Sequence, residues 1–324
     1  MDLRQSLNQA YAISAFALKP FGPVWQVKSV QGTFALKRTG SPVERLIRTA
    51  ETLAQIKQAG FVSLIVPEIT KGNLPYFKYN SHYYQLFQWR QGDHPSFSDP
   101  GSIQKSARLF GSLHLTSLAL TKPGGYEIPD LIANLKQRLS FLEKSVSFLE
   151  NKSRLNRVDR GILGWSDYFL TQARYCLFGL TNVSQGLFSN ALAGFCHNDP
   201  APRNIIIEGD QWFLIDFELS GCGLFVTELA KLTERILQAN NWRTDIFDLV
   251  VEAYSRERAI TGWERTVLPY LLCFPQHFWR ICSQRWEEKL KWSQRRFAAK
   301  YWRITNGEKL RLNFLKSIFP DLFD

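Results

Sequence analysis

The chain has 324 residues, 45% of them hydrophobic and 14% aromatic, and carries a formal net charge of +11. This composition can bury a sizeable core and excludes a disordered chain, and no apolar run is long enough for a transmembrane helix. The charge implies an affinity for anions, with ATP, an acidic partner and weakly bound nucleic acid as candidates.

The elements follow in chain order. Ala12 to Leu18 is briefly apolar without a basic lead-in, and reads as the first element of the fold and not as a signal peptide. Val24 to Val30 predicts a strand, Gln31-Gly32 a turn, and Thr33 to Arg38 a returning strand. Ser41-Pro42 with Glu44 marks a helix start, and Leu46, Ala50, Leu53 and Ile56 recur at helical spacing as far as Gly60. Val62 to Ile69 and Tyr83 to Trp89 read as two further strands, with a turn at Lys71-Gly72-Asn73 between them. Beyond Arg90-Gln91-Gly92-Asp93 the pattern is helical. Helices are predicted over Ile103 to Leu118 and Leu131 to Leu149, with one hairpin near 204–216. The expectation is an α+β chain with a small β-rich unit over 1–88 and a larger helical unit over 89–324, a common setting for a ligand cleft. The five cysteines (Cys176, Cys196, Cys222, Cys273, Cys282) are scattered without a CxxC pair, which points to reduced thiols and to neither a zinc site nor a disulfide framework.

The chemistry concentrates in His197-Asn198-Asp199-Pro200-Ala201-Pro202-Arg203-Asn204 and in Leu214-Ile215-Asp216-Phe217-Glu218. Ile205 to Ile207 and Trp212 to Ile215 are apolar strands about the turn sequence Glu208-Gly209-Asp210. A hairpin centred near residue 210 sets Asn204 opposite Asp216, where paired Cα atoms lie roughly 4.5–5.5 Å apart. An amide oxygen beside a carboxylate, with Asp199 on the loop before them, groups hard oxygen ligands of the kind Mg²⁺ takes together with nucleotide phosphates.

HxDxxxxN followed by an apolar strand and Asp-Phe resembles the catalytic and metal-binding segments of protein-kinase-like phosphotransferases. The form HNDPAPRN with LIDFE is most similar to aminoglycoside and choline kinases. The resemblance implies a two-lobed kinase-like fold, with a small β-rich N-lobe and a mainly helical C-lobe. It implies that Asp199 orients or accepts the proton of an attacking hydroxyl, that Asn204 and Asp216 hold Mg²⁺ on the phosphates of ATP, and that His197 braces the loop. Thr33-Phe34-Ala35-Leu36-Lys37 resembles the strand whose lysine contacts ATP phosphates. Alternation puts Ala35 and Lys37 on one face, with the small Ala35 leaving room for adenine. Glu51 is the candidate ion-pair partner of Lys37, with Glu44 as the competing choice. Gln85-Leu86-Phe87-Gln88-Trp89 would be the hinge beside adenine. Phe21-Gly22-Pro23-Val24 sits where a phosphate-covering loop belongs, but carries a single glycine.

Shorter segments resemble the CotS-type spore-coat proteins of endospore-forming bacteria. They are GTFALKR near residue 32, Ala59-Gly60-Phe61, Leu74-Pro75-Tyr76 and Phe274-Pro275-Gln276-His277-Phe278-Trp279. Glu228 stands where an aspartate before Leu-Ala is usual. This resemblance implies a place in the spore coat or the mother-cell cytoplasm. Two activities stay open: an ATP-dependent kinase acting on a small-molecule or coat-protein hydroxyl, and a catalytically silent scaffold of the same fold. Near the end, Trp286, Leu290, Phe297 and Tyr301 fall at helical spacing, and Arg285, Lys289, Lys291, Arg295, Arg296 and Lys300 supply charge. That segment reads as an amphipathic helix with a solvated basic face, or as a docking surface for an acidic partner. No nucleic-acid-reading motif accompanies the charge.

Overall fold

The computed structural model describes residues 2–120, 130–184, 192–286 and 293–320. It opens with helix α1 (Leu3–Ala10), so Ala12 to Leu18 is not the first element. Asp2 makes that helix viable despite its length, because its side chain accepts from the Gln5 amide while the Gln5 side chain caps in return. Strands β1 (Ala15–Phe21), β2 (Val24–Ser29) and β3 (Gly32–Thr39) follow, then α2 (Val43–Gln58), β4 (Phe77–Tyr79), β5 (His82–Gln88) and α3 (Pro100–Leu118). Helices α4 (Leu131–Glu150) and α5 (Arg157–Ser184) precede four short strands: β6 (Ala193–Cys196), β7 (Ile205–Glu208), β8 (Gln211–Leu214) and β9 (Gly221–Leu224). Five helices complete the chain: α6 (Phe225–Ala239), α7 (Thr244–Ser255), α8 (Gly262–Cys273), α9 (Gln276–Trp286) and α10 (Gln294–Ile318). The chain is therefore α+β.

Two compact units divide it. The first takes Met1–Glu127 with Gly194–Cys222, and the second takes Ile128–Ala193 with Gly223–Asp324. In the first unit an antiparallel sheet runs in the order β1-β2-β3-β5-β4. Alternation sends Leu36, Val27 and Leu86, all fully buried, to one face, where they pack with Leu7 and Tyr11 around α1. The opposite face carries Ala35, Lys37 and Phe87.

The segment Val62 to Ile69 is not a strand. Pro67 offers no N–H to a ladder, and Val62 and Ile69 point outward at 64% and 51% exposure. What remains are single bridges from Leu64 to Leu214 and from Pro67 to Phe87. These bridges are useful nonetheless, because they tie the five-stranded sheet to the β7–β8 hairpin. The partner of β5 is the short β4 instead, closed by a turn with Asn80 at φ 52.

The second unit is helical throughout its described length apart from the strand ends. Leu142, Ile162, Phe169, Phe278, Cys282 and Tyr301 form its core across α4, α5, α9 and α10. Buried Arg311 donates to Glu308, to Gln172 and to the carbonyls of Leu272 and Cys273. A buried charge is tolerated only when satisfied to this degree. The basic C-terminal stretch is not one helix: α9 is described as far as Trp286, and Ser293, extended at ψ 153, caps the Arg296 amide at the start of α10. Phe297 and Tyr301 turn inward, whereas Arg295, Arg296 and Lys300 are exposed and Arg285 pairs with buried Asp159. Lys289, Leu290 and Lys291 lie outside the described residues.

Candidate active site

The hairpin is built by a two-residue turn, Gly209-Asp210, with Gly209 at φ 60. A side chain at that angle would be strained, so the turn demands glycine. This tight turn fixes Ile205 opposite Leu214 and puts Asn204 opposite Ile215, whose amide donates to the Asn204 carbonyl at 3.0 Å. The expected pairing of Asn204 with Asp216 is thus one residue off, because the turn holds two residues and not the three of Glu208-Gly209-Asp210. Asp216 instead lies just past the strand in a left-handed conformation (φ 65), opening the single-turn 3-10 helix Phe217–Leu219. A left-handed aspartate costs about 1–2 kcal/mol, and such strain gathers at working positions.

Buried His197 holds this geometry from the other strand. Its Nε2 donates to the Ile215 carbonyl at 2.8 Å, so its Nδ1 is the acceptor facing the Asp199 amide at 3.4 Å. Its ring lies 4.6 Å from that of Phe217, tilted by 43°. The loop turns at Asn198, φ 67, and delivers a nearly buried Asp199. Asn204 Nδ2 donates to both the carbonyl and Oδ2 of Asp199 at 2.9 Å, which commits its nitrogen and leaves Oδ1 as its acceptor. Arg203 Nη2 reaches the same Asp199 Oδ2 at 2.6 Å.

From the sheet, Lys37 Nζ meets Asp216 Oδ1 at 2.6 Å and Glu218 Oε1 at 3.1 Å. All of these lie on one cavity of about 710 Å³ within the first unit. Its lining joins polar Lys37, Asn204, Asp216 and Glu218 to apolar Ala35, Phe87, Ile65 and Ile215. The mouth is framed by Phe21 and Trp89, edge to face at 5.1 Å. A cavity that joins apolar lining to a few converging polar groups has the character of a ligand site.

The hinge after β5 is clamped to the hairpin. Asp93 and Ile207 exchange backbone hydrogen bonds of 3.1 and 2.8 Å. Glu208 accepts from Arg90 and from the Gln91 amide, and these two bonds hold its carboxyl below the usual range. Gly92 is obligatory in this clamp, since a Cβ there would stand 1.9 Å from the Ile207 carbonyl oxygen.

The structure brings Lys37, Ala35, Phe87, Asn204 and Asp216 together, with Asp199 one hydrogen bond behind. It leaves Glu51 out. At 100° per residue the inward stripe of α2 is Arg45, Leu46, Thr49, Ala50 and Leu53, and both Glu51 and Glu44 are exposed. The acid that reaches Lys37 beside Asp216 is Glu218, which the spacing of two residues across a 3-10 turn could have flagged. Arg45, whose Nη2 donates to the Ser220 carbonyl at 3.0 Å, left no such signal. Glu228 lies fully buried in the first turn of α6.

An antiparallel five-stranded sheet followed by this loop and hairpin defines a protein-kinase-like fold. The sequence pattern of the Phosphotransferase enzyme family matches residues 22–267, well over half of the chain, and the chain belongs to that family. An aminoglycoside phosphotransferase of Alicyclobacillus acidocaldarius superposes with a TM-score of 0.82 at 18% identity, covering 99% of this chain and 96% of that one. An amicoumacin kinase solved with AMP-PNP and Ca²⁺ gives 0.63 at 13% identity, covering 97% and 94%. A choline kinase from Streptococcus pneumoniae gives 0.53 at 15%, covering 91% and 93%. No curated protein matches the chain.

Proposed function

We propose that the chain transfers the γ-phosphoryl group of ATP to a hydroxyl acceptor. The observation that carries this reading is the convergence of Lys37, Asp216 and Glu218, with Asn204, in a cavity also lined by apolar Ala35, Phe87 and Ile215. Ala35 and Phe87, paired neighbours on one face of the sheet, line the adenine from that side, with Ile215 of the hairpin as a further apolar contact, and the segment from Gln85 to Trp89 supplies its backbone partners. Asn204 Oδ1, Asp216 and Glu218 are hard oxygen donors that suit Mg²⁺, which neutralises phosphate charge and orients the chain of phosphates when bound. Lys37 grips the phosphates from the sheet. Asp199, held by Asn204 and Arg203, orients the attacking hydroxyl and takes its proton. The ligands of the amicoumacin kinase, AMP-PNP and Ca²⁺, support a nucleotide and a divalent ion here.

The acceptor is a small alcohol or a coat-protein hydroxyl. The CotS-like segments support a place in the spore coat or in the mother cell, where exposed Arg295, Arg296 and Lys300 on α10 would meet an acidic coat partner. No helix among the described residues is long and apolar enough to cross a membrane.

The test is thermal unfolding with ATP and Mg²⁺. Ligand at 100 times its Kd stabilises by about 2.7 kcal/mol. The wild-type chain should show such an upward shift, and Asp216→Asn should lose the part that depends on Mg²⁺. An unchanged melting temperature at millimolar ATP and Mg²⁺ would sink the proposal.

A further inference from the structure

Arg203 belongs to the single 3-10 turn Pro202–Asn204, between the catalytic loop and β7. Its contact with Asp199 is lopsided: the carboxylate is 11% exposed and the guanidinium 66%. A surface pair four residues apart normally contributes under about 1 kcal/mol, because both ends are solvated. Here the buried end anchors one nitrogen, while the Arg203 side chain stays largely exposed and lines the cavity it shares with Lys37 and Asp216. Its other N–H groups have no partner among the described residues. Guanidinium donors form a fixed fork suited to tetrahedral oxyanions.

We propose that Arg203 is a further catalytic residue, binding the γ-phosphate and stabilising the charge that spreads over the phosphoryl group as it transfers. The inference rests on the nucleotide reading above. An acceptor hydroxyl held by Asp199 lies about 2.7 Å from that carboxylate, with phosphorus about 3 Å further on, so the equatorial oxygens fall within reach of a guanidinium anchored on Asp199. In the transfer the acceptor oxygen–phosphorus bond forms as the bond to the β,γ-bridging oxygen breaks. ADP leaves with that electron pair, and the hydroxyl proton passes to Asp199. Arg203 donates to an equatorial oxygen throughout. A need for such a side chain is visible at the β1–β2 turn, where Gly22-Pro23 offers only one backbone N–H, since proline has none, where a glycine-rich loop would present several.

The experiment is calorimetric titration of the full chain with ADP and with AMP-PNP, each with Mg²⁺, for wild type, Arg203→Ala and Arg203→Lys. Wild type should bind AMP-PNP more tightly than ADP. In Arg203→Ala the AMP-PNP affinity should fall about 10- to 100-fold, the range for a hydrogen bond to a charged group, with ADP affinity unchanged. Arg203→Lys should recover part of the loss. A preference for AMP-PNP that survives in Arg203→Ala overturns the assignment. So does an equal loss for both nucleotides, which would make Arg203 a loop brace, and so does a wild type without preference. A wild type that binds neither nucleotide would instead bring down the reading on which the assignment rests.

Discussion

Replacing Gly92 by alanine tests whether the hinge clamp shapes the cavity. The added Cβ would stand 1.9 Å from the Ile207 carbonyl oxygen, and ordinary contact begins at 3.4 Å. The strands must therefore separate by about 1.5 Å (3.4 − 1.9), since neither atom belongs to a side chain that could swing away. Such a separation breaks the two backbone hydrogen bonds between Asp93 and Ile207, each contributing about 0.5–1.5 kcal/mol. It also loosens the half-exposed Arg90–Glu208 pair, which adds under about 1 kcal/mol. The sum is about 1–4 kcal/mol, or a fall in melting temperature of about 1.5–6 °C for a chain of this size. Scanning fluorimetry measures the fall directly, and repeating it with ATP and Mg²⁺ shows whether a displaced hinge also weakens the nucleotide-dependent shift. A Gly92→Ala chain melting within about 1 °C of wild type would refute the reasoning, because the clash could then be absorbed without loss.

Two further predictions concern charge and packing. Arg90, and then the Gln91 amide, depress the carboxyl of Glu208 in the folded chain, so its stabilisation is complete above the unfolded carboxylate value near about 4.3 and is lost as pH falls through the depressed folded value. Glu208→Gln should therefore lower stability by under about 1 kcal/mol at pH 7 in denaturant titrations, with the gap closing below about pH 4; an undiminished gap there would show that ionisation is not the cause. On α5, Gly164→Ala meets nothing and should add about 0.5–1 kcal/mol, whereas Gly179→Ala drives a Cβ to 2.0 Å from the Tyr270 ring and should cost about 1–3 kcal/mol. Changes of the same sign in urea unfolding would contradict this reading of the helix faces.

Much of this arrangement was legible in the residues themselves. Period-two alternation around Leu36 separates the core face from the cavity face of β3, because a strand offers no other choice. The helix α2 was readable from its 3.6-residue stripe, and the hairpin from the turn sequence Glu208-Gly209-Asp210 between two apolar runs. What failed shares one cause: the deciding term was tertiary. Val62 to Ile69 has the composition of a strand, but Leu64 and Pro67 spend their bridges on two different partners, so no ladder forms. The register of the hairpin hinged on whether the turn holds two residues or three, which Glu208 decides by leaving the turn to accept from Arg90 across 118 positions of sequence. Glu51 looked suitable because it is an acid on the right helix; only the rotation of α2 against the sheet shows that Arg45 and Thr49 face the cavity instead.

That rotation has an electrostatic consequence for the cavity. No acid reaches it from α2, so Lys37 is the near counter-charge for both Asp216 and Glu218, which flank one 3-10 turn. Two carboxylates brought that close repel one another unless a cation stands between them. Lys37 cannot serve them and a phosphate chain at full strength together. On the proposed function, a second cation that relieved it of the two acids would free Lys37 to turn toward phosphate, and nucleotide and divalent-ion binding would then be coupled. Lys37, 19% exposed and fixed on a central strand, needs only to reorient its terminal bonds for that exchange. Lys37, Asp216 and Glu218 are held in register by the Asp93–Ile207 clamp on one side and by His197 against Phe217 on the other.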